Sequence, residues 1–188
     1  MSYDEPRYTV VRESDGFELR RYAPYIVAEL EVQSDFEDAG NVAFRPLAAY
    51  IFGKNRAEEK IGMTAPVTQR TTGETIGMTA PVTQRPGKGG KHVLSFVMPS
   101  RYTMDTLPRP MDPRIRIRQI PGALQAVRKY RGGWGESRYR AEEKRLMEAL
   151  AAAKLQPLAS PSWARYNSPF WPPPPFRRNE ILVEVSEP

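Results

Sequence analysis

The sequence predicts an α+β domain in which two similar halves each lay one helix on antiparallel strands, with a curved or barrel-like sheet. Three observations carry this expectation. Segments of strand and of helical character run in the order strands, helix, strands, and that order then repeats. The length of 188 residues suits one domain, 1–188, since a domain usually takes ~100–200 residues. No run of ~18 apolar residues breaks the pattern, so no membrane span is predicted.

The first half begins with three strand-like segments, 8–12, 17–22 and 25–32, rich in β-branched and aromatic residues and separated by turns at Asp15-Gly16 and Ala23-Pro24. Ser34 with Glu37 three positions on forms a capping-box pattern. Phe36, Ala39, Ala43, Phe44, Leu47, Tyr50 and Ile51 follow at helical spacing. Pro46 is expected to kink this helix and Gly53 to end it.

The decapeptide IGMTAPVTQR stands at 61–70 and again, letter for letter, at 76–85, with TTGET between. Each copy has an Ala-Pro step that favours extended backbone at Ala65 or Ala80. The two copies are expected to pair as a hairpin turned at Gly73, with Ile61, Met63, Ala65, Ile76, Met78 and Ala80 on an inward apolar face.

The second half opens after a Gly-rich turn at 86–90. Residues 93–100 read as a buried strand. In 114–120 the alternation sets Ile115, Ile117 and Gln119 against Arg114, Arg116 and Arg118. Another strand is expected at 123–130, then a helix from Ser137 to Lys154 with Tyr139, Leu146, Ala149, Leu150 and Ala153 as its stripe. Closing strands at 163–166 and 180–185 flank a proline-rich crossing.

Composition narrows function. The chain has no Cys and one His, which excludes disulfides, thiolate metal sites and cysteine nucleophiles and leaves a single imidazole. His92 and Ser95 lie on one strand at odd separation, so their side chains point to opposite faces. PGKGGK lacks the frame of a phosphate loop. Glu58-Glu59 and Glu142-Glu143 read as solvated charges, and no enzymatic constellation emerges. The net charge of +6 is uneven: residues 1–94 carry 12 basic and 13 acidic groups, residues 95–188 carry 16 and 9. A basic second half suits an anionic partner, but no nucleic-acid-binding signature accompanies it. With no signal-peptide h-region at the start, a cytoplasmic location is the expectation.

A ligand pocket is the stronger indication. Large adaptable apolar groups, among them Phe44, Met63, Met78, Phe96, Met98, Met104, Trp134 and Trp171, lie next to proline-rich segments. Several segments then resemble, in order, the SOUL heme-binding proteins: FELRRY at 17–22, DFEDAGNVAFRPLAAYIFGKN at 35–55, the MTAPV copies, LSFVMPSRYTMDTLPRPMDPRIRI at 94–117, VRKYRGGWGESRYRAEEKRL at 127–146 and ARYNSPFWPPPPFRRNEILVEV at 164–185.

That resemblance implies a distorted antiparallel β-barrel flanked by two helices, built from a pseudo-repeat like that of bacterial effector-binding domains, and a reversibly bound heme or other tetrapyrrole in an apolar groove near the first helix. Phe44, Ile51, Met63, Met78, Phe96 and Met98 would supply apolar contacts, and Lys54, Arg56, Lys60 and Arg177 would meet the propionates. Axial ligation stays open among His92, Met63, Met78 and the tyrosines. The function expected is a soluble, non-enzymatic tetrapyrrole-binding protein for buffering, transport or sensing. The alternatives are an effector-binding module for another amphipathic ligand, using Glu29, Glu31 or Glu180, and, last, a hydrolase on the same fold.

Overall fold

The computed structural model describes residues 4–56, 73–167 and 172–187. Its elements run β1 (Tyr8–Ser14), β2 (Phe17–Tyr22), β3 (Tyr25–Val32), α1 (Phe36–Ile51), β4 (Asn55–Arg56), β5 (Val82–Pro86), β6 (His92–Val97), β7 (Arg109–Pro110), β8 (Arg116–Ile120), β9 (Leu124–Arg131), α2 (Glu136–Ala152), β10 (Ser162–Arg165) and β11 (Arg178–Glu184). The repeated order read from the sequence is therefore the order of the chain.

Nine strands form one sheet in the order β1-β2-β9-β11-β10-β5-β6-β3-β8, while β4 and β7 make a small separate ladder. Every paired strand runs antiparallel to its neighbour. The sheet curls as a half-barrel with β1 and β8 as its outer strands. At its centre β5 meets β10, with Ala164 opposite Thr83. The halves also exchange strands: β2 belongs by sequence to the first half but pairs with β9, and β8 precedes β9 but pairs with β3.

Strand alternation decides where each core lies. On β3 and β6 the residues Ala28, Leu30, Leu94 and Phe96 face α1 and join Ala39, Ala43, Leu47 and Ile51 in one apolar cluster. Leu19, Ala126, Ile181 and Val183 face α2 and join Tyr139, Leu146 and Leu150 in another. Phe36, the first residue of α1, belongs to the second cluster. Its ring stacks on Tyr139 at 5.1 Å and on Trp163 at 5.4 Å, which ties the halves together. Burying side chains of this size contributes about 1.5–3 kcal/mol each.

Several local expectations change. The N-cap of α1 is Asp35, without a side-chain capping bond. Glu37 instead accepts a hydrogen bond from the backbone N–H of Glu136 at 3.4 Å, joining the starts of both helices. α1 runs unbroken through Pro46. The carbonyl deprived of its partner there is that of Val42, a residue 51% exposed that water can serve. Glu142, read as a solvated charge, is 2% exposed and held by Arg128 and Arg145 at 2.8 Å each.

The first copy of the decapeptide, with Met63, and Lys60, Glu58 and Glu59 lie outside the described residues. In the second copy β5 is paired on one side with β6 and on the other with β10, so 82–86 has no edge left for a hairpin with its twin. Ile76 and Ala80 are buried as expected, but Met78 turns outward at 38% exposure.

Candidate functional site

The back half of α1 forms one wall of a groove of about 700 Å³. Arg45 and Ala49, and Pro46 and Tyr50, are i,i+4 pairs, so they lie as neighbouring rows on one helical face. Gly53, at φ 113°, turns the chain sharply at the helix end. The Lys54 backbone N–H then reaches back to the carbonyl of Ala49 at 2.9 Å, placing Lys54 at the groove mouth.

The opposite wall is the 111–115 loop, contributing Met111, Arg114 and Ile115. Its position is fixed by polar contacts that apolar patterning does not reveal. The β4–β7 ladder sets Asn55 opposite Pro110. Tyr50 donates its hydroxyl to the Pro108 carbonyl at 2.6 Å, and buried Asn55 donates to the Tyr50 carbonyl at 2.8 Å. The Met111 N–H bonds the Lys54 carbonyl at 3.4 Å.

Pro46, Ala49, Met111 and Ile115 give the groove its apolar surface, and Arg45, Lys54 and Arg114 its positive rim. Arg114 grips Asp112 at 2.7 Å, and that hydrogen bond holds the Asp112 carboxyl below its ordinary value. Among the described residues neither Arg45 nor Lys54 has an acidic partner. A groove of this size, apolar inside with a few charged groups at its rim, has the form of a small-molecule site. The Tyr50 phenol is pushed up, chiefly by burial, which disfavours a phenolate there.

Of the residues expected to bind, Lys54 lines this groove. Phe44, Ile51, Phe96 and Met98 lie beneath α1 in the core instead, with Phe44 and Phe96 rings 5.3 Å apart. The reason is helical phase: residues at the 43, 47 and 51 positions face the sheet, and the groove uses the neighbouring stripe, with Tyr50 at the border of the two. Arg56 is exposed on β4, opposite Arg109. Arg177 belongs to the other half, 4.4 Å over the Trp134 ring. Lys60 and Met63 lie outside the described residues. Sequence reasoning missed Arg45, Pro46, Ala49, Met111 and Ile115; the clue was the i,i+4 pairing of a cation and small residues on the polar side of α1.

His92 is partly buried, its ring edge-on to Phe36 at 5.8 Å. Phe36 stands thirteen residues before Ala49, or about 20 Å along a helix rising ~1.5 Å per residue. His92 therefore stands at the wrong end of α1 to reach the groove. Ser95 is on the opposite face of β6 from His92, since Leu94 and Phe96 face the helix with it.

A second cavity, of about 560 Å³, opens beside the N-terminal segment and is lined by Tyr25, Met98, Tyr102 and Met104 with the acidic Asp4 and Asp105. The sheet face away from the helices carries the candidate carboxylates. Glu29 is bound by Arg118 at 3.0 Å and Arg85 at 3.2 Å. Glu180, fully buried, accepts bidentate hydrogen bonds from Arg20 at 2.9 and 3.1 Å, one from Arg178 at 2.9 Å and one from the Tyr166 hydroxyl at 2.7 Å. Burial alone would raise the Glu180 carboxyl, but Arg20, Tyr166 and Arg178 together hold it below its ordinary value. Glu31 is exposed beside Lys91 at 3.8 Å. No helix among the described residues is long and apolar enough to cross a membrane.

The chain is 31% identical over 122 residues to human heme-binding protein 2. That stretch covers 62% of this chain and 53% of the relative, so the chain spans about half the length of the protein it matches. In structure it is similar to the C-terminal domain of EcmrR, with a TM-score of 0.63 at 14% identity over 96% of this chain and 98% of that one. It is similar also to a hydrolase from Listeria innocua, with a TM-score of 0.53 at 10% identity over 99% and 94%. At such identities these likenesses speak to the fold alone, that of effector-binding domains. The model of the SOUL heme-binding protein family matches residues 3–184, nearly the whole chain, and the chain belongs to that family.

Proposed function

We propose that this protein binds a tetrapyrrole, heme or a close analogue, reversibly and without turnover, in the groove between α1 and the 111–115 loop. The observation that carries this reading is the pairing of an apolar interior with Arg45 and Lys54, two cations without acidic partners among the described residues. A planar macrocycle bearing carboxylates needs both: apolar walls for its faces and cations for its acid groups. Pro46, Ala49, Met111 and Ile115 exclude water from the ring, while Arg45, Lys54 and Arg114 orient the carboxylates. A bound heme would supply an iron centre. Holding the porphyrin by its faces and its acids asks nothing of that iron, which fits the distance of His92 from the groove.

Titrating hemin, and in parallel metal-free protoporphyrin IX, tests the proposal. One-to-one saturation by both, with affinities within an order of magnitude of each other, is expected. A loose, non-saturating response to both would overturn it.

The runner-up is an amphipathic cation in the second cavity, favoured by Asp4 and Asp105 at its rim. The buried carboxylates Glu29 and Glu180 argue against a cationic ligand on the sheet face away from the helices, because both are already neutralised by arginines. A cationic dye that raised the melting temperature more than hemin did would favour this second reading.

A further inference from the structure

The seam where the two halves meet on the helix side shows the reverse imbalance: a guanidinium, that of Arg165, for which the described residues supply no acid. Arg165, the last residue of β10, is largely enclosed there. Its guanidinium lies 4.8 Å from the ring centroid of Trp163 and 5.5 Å from that of Trp134. Against α1 it fits over Gly40, where a Cβ would come within 2.9 Å of the Arg165 Nη1. Glycine inside a helix costs about 0.5–1 kcal/mol relative to alanine, and here it makes room for a guanidinium.

Arg165 donates a hydrogen bond to a neutral group, Gln84 Oε1 at 3.3 Å, and among the described residues no carboxylate pairs with this arginine. Burial pulls the guanidinium down to about 10, with only the Tyr130 phenol opposing. Three further donors nearby lack acceptors among the described residues: the buried indole N–H groups of Trp134 and Trp163 and the buried hydroxyl of Tyr130. Arg177 adds a second guanidinium over the same Trp134 ring, at 4.4 Å. Beside that indole, the Cβ directions of Gly133 and Gly135 meet no atom closer than 4.0 Å. Elsewhere the protein answers buried charge with opposite charge, as at Glu180, Glu29 and Glu142.

We infer that this seam is a carboxylate-binding site, in which the fork of Arg165 takes both oxygens of a small organic acid and the Trp134 N–H supplies a further hydrogen bond. The geometry of a guanidinium suits a planar carboxylate better than a single-point cation would. This site is separate from the α1 groove, so it stands or falls independently of tetrapyrrole binding.

Acetate is the probe, with chloride at matched ionic strength as the control and inorganic phosphate as the competing oxyanion. Tryptophan fluorescence and melting temperature are the readouts, since two of the three tryptophans in the chain flank Arg165. Acetate is expected to give a saturable fluorescence change and a rise in melting temperature that chloride does not. Arg165→Gln should abolish both effects while leaving the hemin titration unchanged. Should Arg165→Gln fail to fold, Arg165→Lys, which keeps the charge but loses the fork, is expected to weaken acetate binding at least tenfold, and Trp134→Phe several-fold. A linear, chloride-like response of the wild-type protein would overturn the site, and saturation by phosphate but not acetate would overturn its assignment to carboxylates.

Discussion

The half under α1 and the half under α2 share a topology and differ in what their charges do. α2 satisfies itself: Glu136 and Glu143 hold Arg140, Glu148 holds Lys144, and buried Glu142 gathers Arg128, Arg138 and Arg145. On the open face of that half, Glu180 closes a second network with Arg20 and Arg178. α1 has no such lattice among the described residues, and its Arg45 looks instead onto a groove shared with Lys54. One copy of the repeat has turned its charge inward to hold the fold, and the other has left cations available at a cavity. The comparison teaches that pseudo-symmetry of backbone leaves the halves free to divide stability and recognition between them.

The largest test of that division is Glu180→Gln. Removing one member of a buried, multiply bonded ion pair leaves fully buried Arg20 with Glu18 as its one remaining carboxylate at 2.9 Å and should cost up to about 3–5 kcal/mol, measured by urea unfolding, with hemin affinity preserved. Glu29→Gln should cost clearly less, because its partners Arg85 and Arg118 are 39% and 49% exposed. Equal losses would break the comparison.

Acid should act through the same residue. The folded-state carboxyl of Glu180 is depressed below its ordinary value of 4.5. Its contribution is therefore complete above about pH 4.5 and is lost as pH falls through the folded value. The wild-type protein should lose stability on acidification below pH 4.5 more steeply than Glu180→Gln does. Parallel curves would show that other carboxylates govern acid unfolding.

At the groove the expected effects are smaller. Arg45→Ala and Lys54→Ala should each weaken hemin binding by about 0.2–1 kcal/mol, as exposed ion pairs do, and leave the urea midpoint unmoved. Unchanged affinity in the double variant would place the ligand elsewhere. His92→Ala should have the smallest effect on binding, because its cost falls on stability alone. It removes one edge-on ring contact, worth roughly 0.5–1.5 kcal/mol, and should leave the ferric hemin spectrum as it was; a changed spectrum would make His92 an iron ligand.

Much of this architecture was legible because periodicity reports burial. The alternation at 114–120 sorted Ile115 and Ile117 from Arg114, Arg116 and Arg118 correctly, and the stripe of α1 gave Ala39, Ala43, Leu47 and Ile51 as core. Periodicity was blind where tertiary partners override composition. Glu142 looked solvated because nothing local announces three arginines, one of them from β9. The pairing of β5 with β10 depends on a strand about 80 residues away, so the repeat at 76–85 suggested its own twin as partner instead. The groove was half legible: Lys54 could be placed by its position at the helix end, but Met111 and Ile115 arrive through the β4–β7 ladder and the Tyr50–Pro108 bond.

The exchange of β2 and β8 between the halves bears on how the chain acquires its shape. The β1–β2 hairpin can close as soon as it is made, but its inner edge waits for β9, and Glu18 pairs with Val127 more than a hundred residues later. The outer edge of β3 waits likewise for β8, where Val27 meets Arg118. During synthesis the N-terminal half thus emerges with open strand edges on β2, β3 and β5 that later strands must cover. Such non-local pairing slows folding, because loops must close before contacts repay them. With strands exchanged in this way, both halves are expected to unfold in a single cooperative transition and neither to fold alone, however complete its own helix and core.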